Sequence, residues 1–144
     1  MIPEEANYQR TMKRDVEPYL RSYEKDGYIE SYDKTAIYYR TYRIPQAKAG
    51  IVISHGFCEF AEKYKEVIYY FLKNGYSVYV PEHRGHGYSD RIVVDGERVH
   101  VEDYEQYVQD LHCFVKNVVE LTEKRKILFC HSMGGAIGVR YLEE

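Results

Sequence analysis

The chain has 144 residues, 44% hydrophobic and 30% charged, with a formal net charge of −3 at pH 7. That length and balance describe one soluble globular domain with a real core. The slight negative charge leaves no basic footprint, so no nucleic-acid partner is expected.

Three cysteines, Cys58, Cys113 and Cys130, are too few and too irregularly spaced for a disulfide framework, and they suit a reducing compartment. The acidic start Met1-Ile2-Pro3-Glu4-Glu5 has no apolar core of a signal peptide. No stretch is apolar for long enough to span a membrane, so a cytoplasmic location is the expectation. Tyr is abundant at 17 residues while Trp is absent, which reads as compositional bias rather than a stacking surface.

Residues 1–27 are polar, and Tyr8, Met12, Val16, Tyr19 or Leu20, and Tyr23 fall at helical spacing interrupted by Pro18. They read as a loosely helical lead-in packed on the domain edge, closed by a turn at Asp26-Gly27. Tyr28–Tyr32 and Ala36–Ile44, separated by Asp33-Lys34-Thr35, read as a β-hairpin or two adjacent antiparallel strands.

Ile51-Val52-Ile53-Ser54 is a continuous apolar run of the kind buried on both faces of a sheet. It opens into His55-Gly56-Phe57-Cys58-Glu59-Phe60. Tyr64, Val67, Ile68, Phe71 and Leu72 then mark one face of a helix over 60–73, stopped by Asn74-Gly75. Ser77-Val78-Tyr79-Val80 is a second buried strand, followed by a polar Gly-containing loop over His83–Asp90. Arg91–His100 reads as further loop, with Asp95-Gly96 as a tight turn. Tyr104, Val108, Leu111, Val115, Val118 and Val119 line a helix over 103–122. Lys124-Arg125-Lys126 is a solvated turn, and Ile127–Cys130 reads as a third buried strand before a helix from Met133.

The order is an antiparallel hairpin followed by βαβαβα. Parallel strands need such crossovers, so the expected class is α/β with helices on both faces. In these sheets chemistry gathers at the carboxyl ends of the strands. Three loops lie there: His55–Phe60, His83–Asp90 and His131–Gly134.

The last of them has the outline of a nucleophile elbow: strand, sharp turn with Ser132 at its tip, helix. A Ser hydroxyl is a weak nucleophile and must be held where a base reaches it. Small residues two before and two after let strand and helix approach, and here they are Cys130 and Gly134. Helix N-termini present free N–H groups, so the Met133 N–H is placed to stabilise an oxyanion. Taken alone, Cys-x-Ser-x-Gly also arises wherever a strand simply ends in a Ser/Gly turn.

Taken together, His55-Gly56-Phe57 with Glu59, His83-Arg84-Gly85-His86-Gly87-Tyr88-Ser89 and His131-Ser132-Met133-Gly134-Gly135 resemble the α/β-hydrolase superfamily. The likeness is to its monoacylglycerol lipase and lysophospholipase-like group, also grouped with serine aminopeptidase-type hydrolases. It extends over residues 28–144, the N-terminal half of such a domain, with residues 1–27 as a leading segment.

The resemblance implies Ser132 as nucleophile, with the backbone N–H groups of Phe57 and Met133 as oxyanion hole. The implied reaction is hydrolysis of a carboxylic ester through an acyl-enzyme, on fatty-acyl glycerols or lysophospholipids. Peptides or small esters are the alternative for a related hydrolase.

Two departures stand out. Cys130 occupies the usual Gly position, and the acid and catalytic His that follow the Ser in this family are absent before Glu144. Little turnover is therefore expected of the chain alone. The six His read as loop-ordering (His55, His83, His86, His131), packed (His112) or superficial (His100) rather than as a base. His83-x-x-His86 with Cys58 or Glu82 is a poor metal spacing, and no metal or cofactor is expected. Strand 126–130 is expected to form a sheet edge, so self-association through it, or a partner supplying the remaining strands, is the alternative role.

Overall fold

The computed structural model describes residues 7–56, 60–90, 105–131 and 133–143, the Met133 side chain excepted. The elements alternate as expected, although several boundaries shift for identifiable reasons.

The described residues begin with helix α1 (Tyr8–Thr11), a π turn (Met12–Val16) and helix α2 (Glu17–Arg21). Pro18 stands in the first turn of α2, where its missing N–H breaks no helical bond. Met12, Val16 and Leu20 are buried and pack with Ile68, Tyr69 and Leu72 in one core cluster.

Strands β1 (Glu24–Glu30) and β2 (Ala36–Tyr42) form the antiparallel hairpin. The turn expected at Asp26-Gly27 is not there: both residues lie inside β1, opposite Arg40 and Tyr39. A Cβ on Gly27 would stand 3.0 Å from the Tyr39 hydroxyl oxygen, so this glycine makes room for a cross-strand ring instead of a turn. The Asp33-Lys34-Thr35 turn is present, closed by Ser31 N–H donating to the Thr35 carbonyl at 2.9 Å.

Strands β3 (Gly50–Ser54), β4 (Ser77–Pro81) and β5 (Lys126–Cys130) are mutually parallel, and β2 joins β4 antiparallel. The sheet order is β1-β2-β4-β3-β5. Alternation of side chains divides the core between its faces. Ile51, Ile53, Val78 and Val80 meet the N-terminal helices and α3 (Lys65–Lys73). Val52 and Tyr79 meet α4 (Glu105–Phe114) and Ile137 of α5 (Met133–Glu143).

The helix expected over 60–73 begins as a 3-10 turn (Ala61–Tyr64) before α3. Glu82, from the loop after β4, takes the Ala61 N–H at 2.9 Å and so caps that turn with a carboxylate. Gly75 closes α3 at φ +92°. The helix expected over 103–122 is realised as α4, then a π turn (Val115–Val119); Tyr104 and the Asp95-Gly96 turn lie outside the described residues.

The third strand has the apolar run of a buried strand but takes the edge position expected for it. Among the described strands β5 lies at the sheet edge, with Ile127 45% and Phe129 37% exposed. Phe129 meets Phe71 in an edge-to-face pair at 5.4 Å. On α5, Ile137 is fully buried while Val139 and Leu142 are 60% and 70% exposed. Among the described residues no helix is long and apolar enough to cross a membrane.

Candidate active site

The site is built where β5 hands over to α5. Cys130 ends the strand, the Met133 backbone begins the helix, and His131 follows the strand directly. Ser132 and Phe57 lie outside the described residues; the Met133 backbone opens α5.

The flanks of the turn are fixed by three hydrogen bonds. His131 N–H donates to the Ser54 carbonyl at 3.1 Å, which continues the β3–β5 ladder by one residue. Gly134 N–H donates back to the His131 carbonyl at 2.9 Å. The Ser54 hydroxyl, fully buried, donates to the Gly134 carbonyl at 2.9 Å.

Gly134 is required by contact. A Cβ there would overlap the Ser54 carbonyl oxygen, a backbone atom that cannot rotate away. The small residue two after the Ser therefore does what the sequence pattern asks of it: it seats the start of α5 on the end of β3. The residue two before the Ser solves the same problem differently. A Cβ on Gly138 would fall 2.5 Å from Cys130 Sγ. The larger side chain at the usual Gly position is accommodated by a glycine one turn further along α5. Burial pushes the Cys130 thiol above its ordinary value, so it behaves as a small neutral side chain.

The loops after β3 and β4 are locked together by histidines. His55 Nδ1 lies 2.8 Å from the Gly56 carbonyl, and its Nε2 accepts the His83 N–H at 2.9 Å. A carbonyl only accepts and an N–H only donates, so both contacts assign the neutral Nδ1–H tautomer. His83 Nε2 reaches the His55 carbonyl at 3.2 Å and the Ser54 hydroxyl at 3.4 Å, which places its proton on Nε2. Burial, then His55 and His86, hold the His83 pKa well below the usual imidazole range, so the ring stays neutral. His86 Nδ1 lies 3.1 Å from the Arg84 carbonyl. These three rings order the loops, as the sequence suggested. His112 stacks against Tyr141 at 4.5 Å, His131 is exposed at the end of β5, and His100 is outside the described residues.

Glu82 holds its loop through backbone N–H groups: Oε2 accepts Ala61 and Oε1 accepts Tyr88 at 2.8 Å. Gly87, at φ +50°, has no Cβ to strike that carboxylate. Both Glu82 oxygens serve the fold, and among the described residues no three His, Cys, Asp or Glu side chains are grouped to hold a metal.

One network escaped the sequence. Arg84 forks onto Asp110 of α4, Nε to Oδ2 and Nη2 to Oδ1, both at 2.7 Å. It also reaches Asp33 of the hairpin turn at 2.9 Å, and Ser31 donates to Asp110 at 2.5 Å. Burial raises the Asp110 carboxyl against the pull of Arg84 and Ser31, whereas the Arg84 hydrogen bond holds Asp33 down to about 2. Asp110 interrupts an apolar helix stripe, and a buried acid in that register was the available signal.

A mixed sheet with helices on both faces, and a strand–turn–helix whose Ser-bearing turn is anchored on the neighbouring parallel strand, define an α/β-hydrolase fold. Its structural likeness to an esterase from Pyrococcus furiosus has a TM-score of 0.70 at 25% identity, covering 88% of this chain and 49% of that one. The serine aminopeptidase S33 family matches over residues 45–144, and the chain belongs to that family. Lysophospholipase L2 of Escherichia coli is 37% identical over 94 residues, 65% of this chain and 28% of its own length. A monoacylglycerol lipase of Mycolicibacterium smegmatis is 36% identical over 96 residues, 63% of this chain and 32% of its own. The chain thus spans about a third of the length of these curated relatives.

Proposed function

We propose that this chain carries the nucleophile and oxyanion site of a serine hydrolase acting on carboxylic esters of fatty-acyl glycerol or lysophospholipid type. Residues 28–144 supply the N-terminal half of the hydrolase domain, and residues 1–27 lead into it. Ser132 attacks the acyl carbon. The N–H groups of Phe57 and Met133 hold the oxyanion of the tetrahedral intermediate. The Ser132 proton passes to a base, the alcohol leaves, and water hydrolyses the acyl-enzyme by the reverse route. The described histidines order loops or pack against rings, so no base is assigned among them.

The observation that carries this reading is the anchored turn. His131 and Gly134 are both bound to Ser54, and only residues 132 and 133, the nucleophile and an oxyanion donor, stand between them. The names of the lysophospholipase and lipase relatives support the substrate class.

Diffusible imidazole supplies a general base of the His type, which makes the substrate class testable. With imidazole present, fatty-acid release from monoacylglycerol or lysophospholipid is expected to exceed that of a Ser132→Ala variant. Cleavage of an N-terminal peptide substrate, with none of the esters, would move the assignment to the peptide-cleaving alternative.

A second reading rests on a separate observation. The β5 edge presents Ile127 and Phe129 beside the exposed Val139 and Leu142 of α5. An exposed apolar edge of this kind pairs readily with another strand. In this reading the chain associates with a second copy of itself through β5.

A further inference from the structure

The role of Ser54 follows from what its two polar groups hold. It is the last residue of β3, is completely buried, and lies outside the elbow itself. Its carbonyl accepts the His131 N–H, and its hydroxyl donates to the Gly134 carbonyl. The same carbonyl sits against the Cα of Gly134. Behind it, His83 Nε2 points its proton at the Ser54 oxygen from 3.4 Å, as well as at the His55 carbonyl. A hydroxyl that donates forward and accepts from behind has one favoured rotamer, and a buried one has no water to turn toward.

We propose that Ser54 is a positioning residue for the catalytic turn: its carbonyl and hydroxyl clamp the two flanks of residues 132 and 133 to the end of β3. This rests on the reading of Ser132 as nucleophile and adds a residue to it. The carbonyl half of the clamp belongs to the sheet ladder and any residue supplies it. The hydroxyl half is particular to Ser54. It fixes the Gly134 carbonyl, and with it the first turn of the helix whose leading N–H comes from Met133. The loop after β4 takes part through His83, so the ends of three parallel strands set the position of one turn.

The test measures phosphonylation of Ser132 by a fluorophosphonate and by its P=S counterpart, both with imidazole. A hole of N–H donors favours developing charge on oxygen over sulfur, so the ratio of the two rates reports donor placement rather than fold. Ser54→Ala is expected to lower the oxo-to-thio ratio roughly tenfold, the weight of one hydrogen bond. Ser54→Thr, which keeps the hydroxyl, is expected to retain the ratio.

Equal slowing of both probes in Ser54→Ala, with the ratio unchanged, would mean the hydroxyl only stabilises the fold and would overturn the proposal. No Ser132 adduct in the unaltered chain would overturn the nucleophile reading and this role together.

Discussion

Cys130 and Gly138 fit each other across the junction of β5 and α5: the thiol of one fills the space that a methyl on the other would need. The family position two before the Ser usually holds Gly, and here the bulk has moved from helix to strand. The elbow keeps its close approach because the pair as a whole stays small.

Gly138→Ala is therefore expected to destabilise the chain by about 1 kcal/mol, since the overpacking exceeds what Ala adds to a helix. In a Cys130→Ala background the same change is expected to cost less, because the sulfur is gone and only the Leu128 Cδ2 methyl, 2.9 Å from the added Cβ, has to shift. Denaturant titration of the four proteins gives the coupling energy, and additive effects would mean the two residues do not share the space.

Gly134→Ala meets backbone rather than a side-chain tip. Its Cβ falls on the Ser54 carbonyl, so β3 and α5 must separate. A loss of about 3 kcal/mol is expected, at the upper end of overpacking costs, measured as a lower denaturation midpoint. The same variant is expected to lose Ser132 phosphonylation.

Asp33 gives the chain a defined acid response. Its folded pKa is held at about 2 by the Arg84 hydrogen bond, below the ordinary 3.8 of an unfolded Asp. Between those values the unfolded chain binds the proton and the folded chain does not, so stability falls as pH drops through that window. Asp110 works the other way, because its raised pKa favours the protonated folded form as pH falls. Asp33→Asn is expected to flatten the decline of melting temperature between pH 4 and pH 2. An unchanged slope would show that Asp33 is not held by Arg84 in solution.

The exposed β5 edge predicts association that depends on concentration. Sedimentation is expected to show a dimer growing with protein concentration. Phe129→Lys is expected to restore the monomer, because a charge at an edge strand opposes pairing. A monomer at every concentration would leave the edge without this function.

Most of the fold was legible because it follows from periodicity. Ile51–Ser54 and Ser77–Val80 are apolar on both faces, and residues 60–73 and 103–122 carry helical stripes. The structure realises these as the central parallel strands and the helices that cover them. Asp26-Gly27 misled because a Gly beside an Asp signals a turn locally, whereas here the deciding contact is the Tyr39 ring on the next strand. β5 has the composition of a buried strand, and its exposure follows from the edge position expected for it in the sheet order. At the site, Gly134 was readable from spacing alone. The compensation of Cys130 by Gly138, the Arg84–Asp110 fork and the Ser54 clamp join residues from 8 to 80 positions apart, and apart from the acid in the α4 stripe no local pattern announces them.

The most direct test of the central claim is the mass of the folded chain after treatment with a fluorophosphonate and imidazole, with Ser132→Ala beside it and the adduct mapped by peptide. The account predicts one adduct on Ser132, growing with imidazole concentration and absent from the variant. An adduct on another residue, equal labelling of both proteins, or a folded chain that takes no label at Ser132 would contradict it.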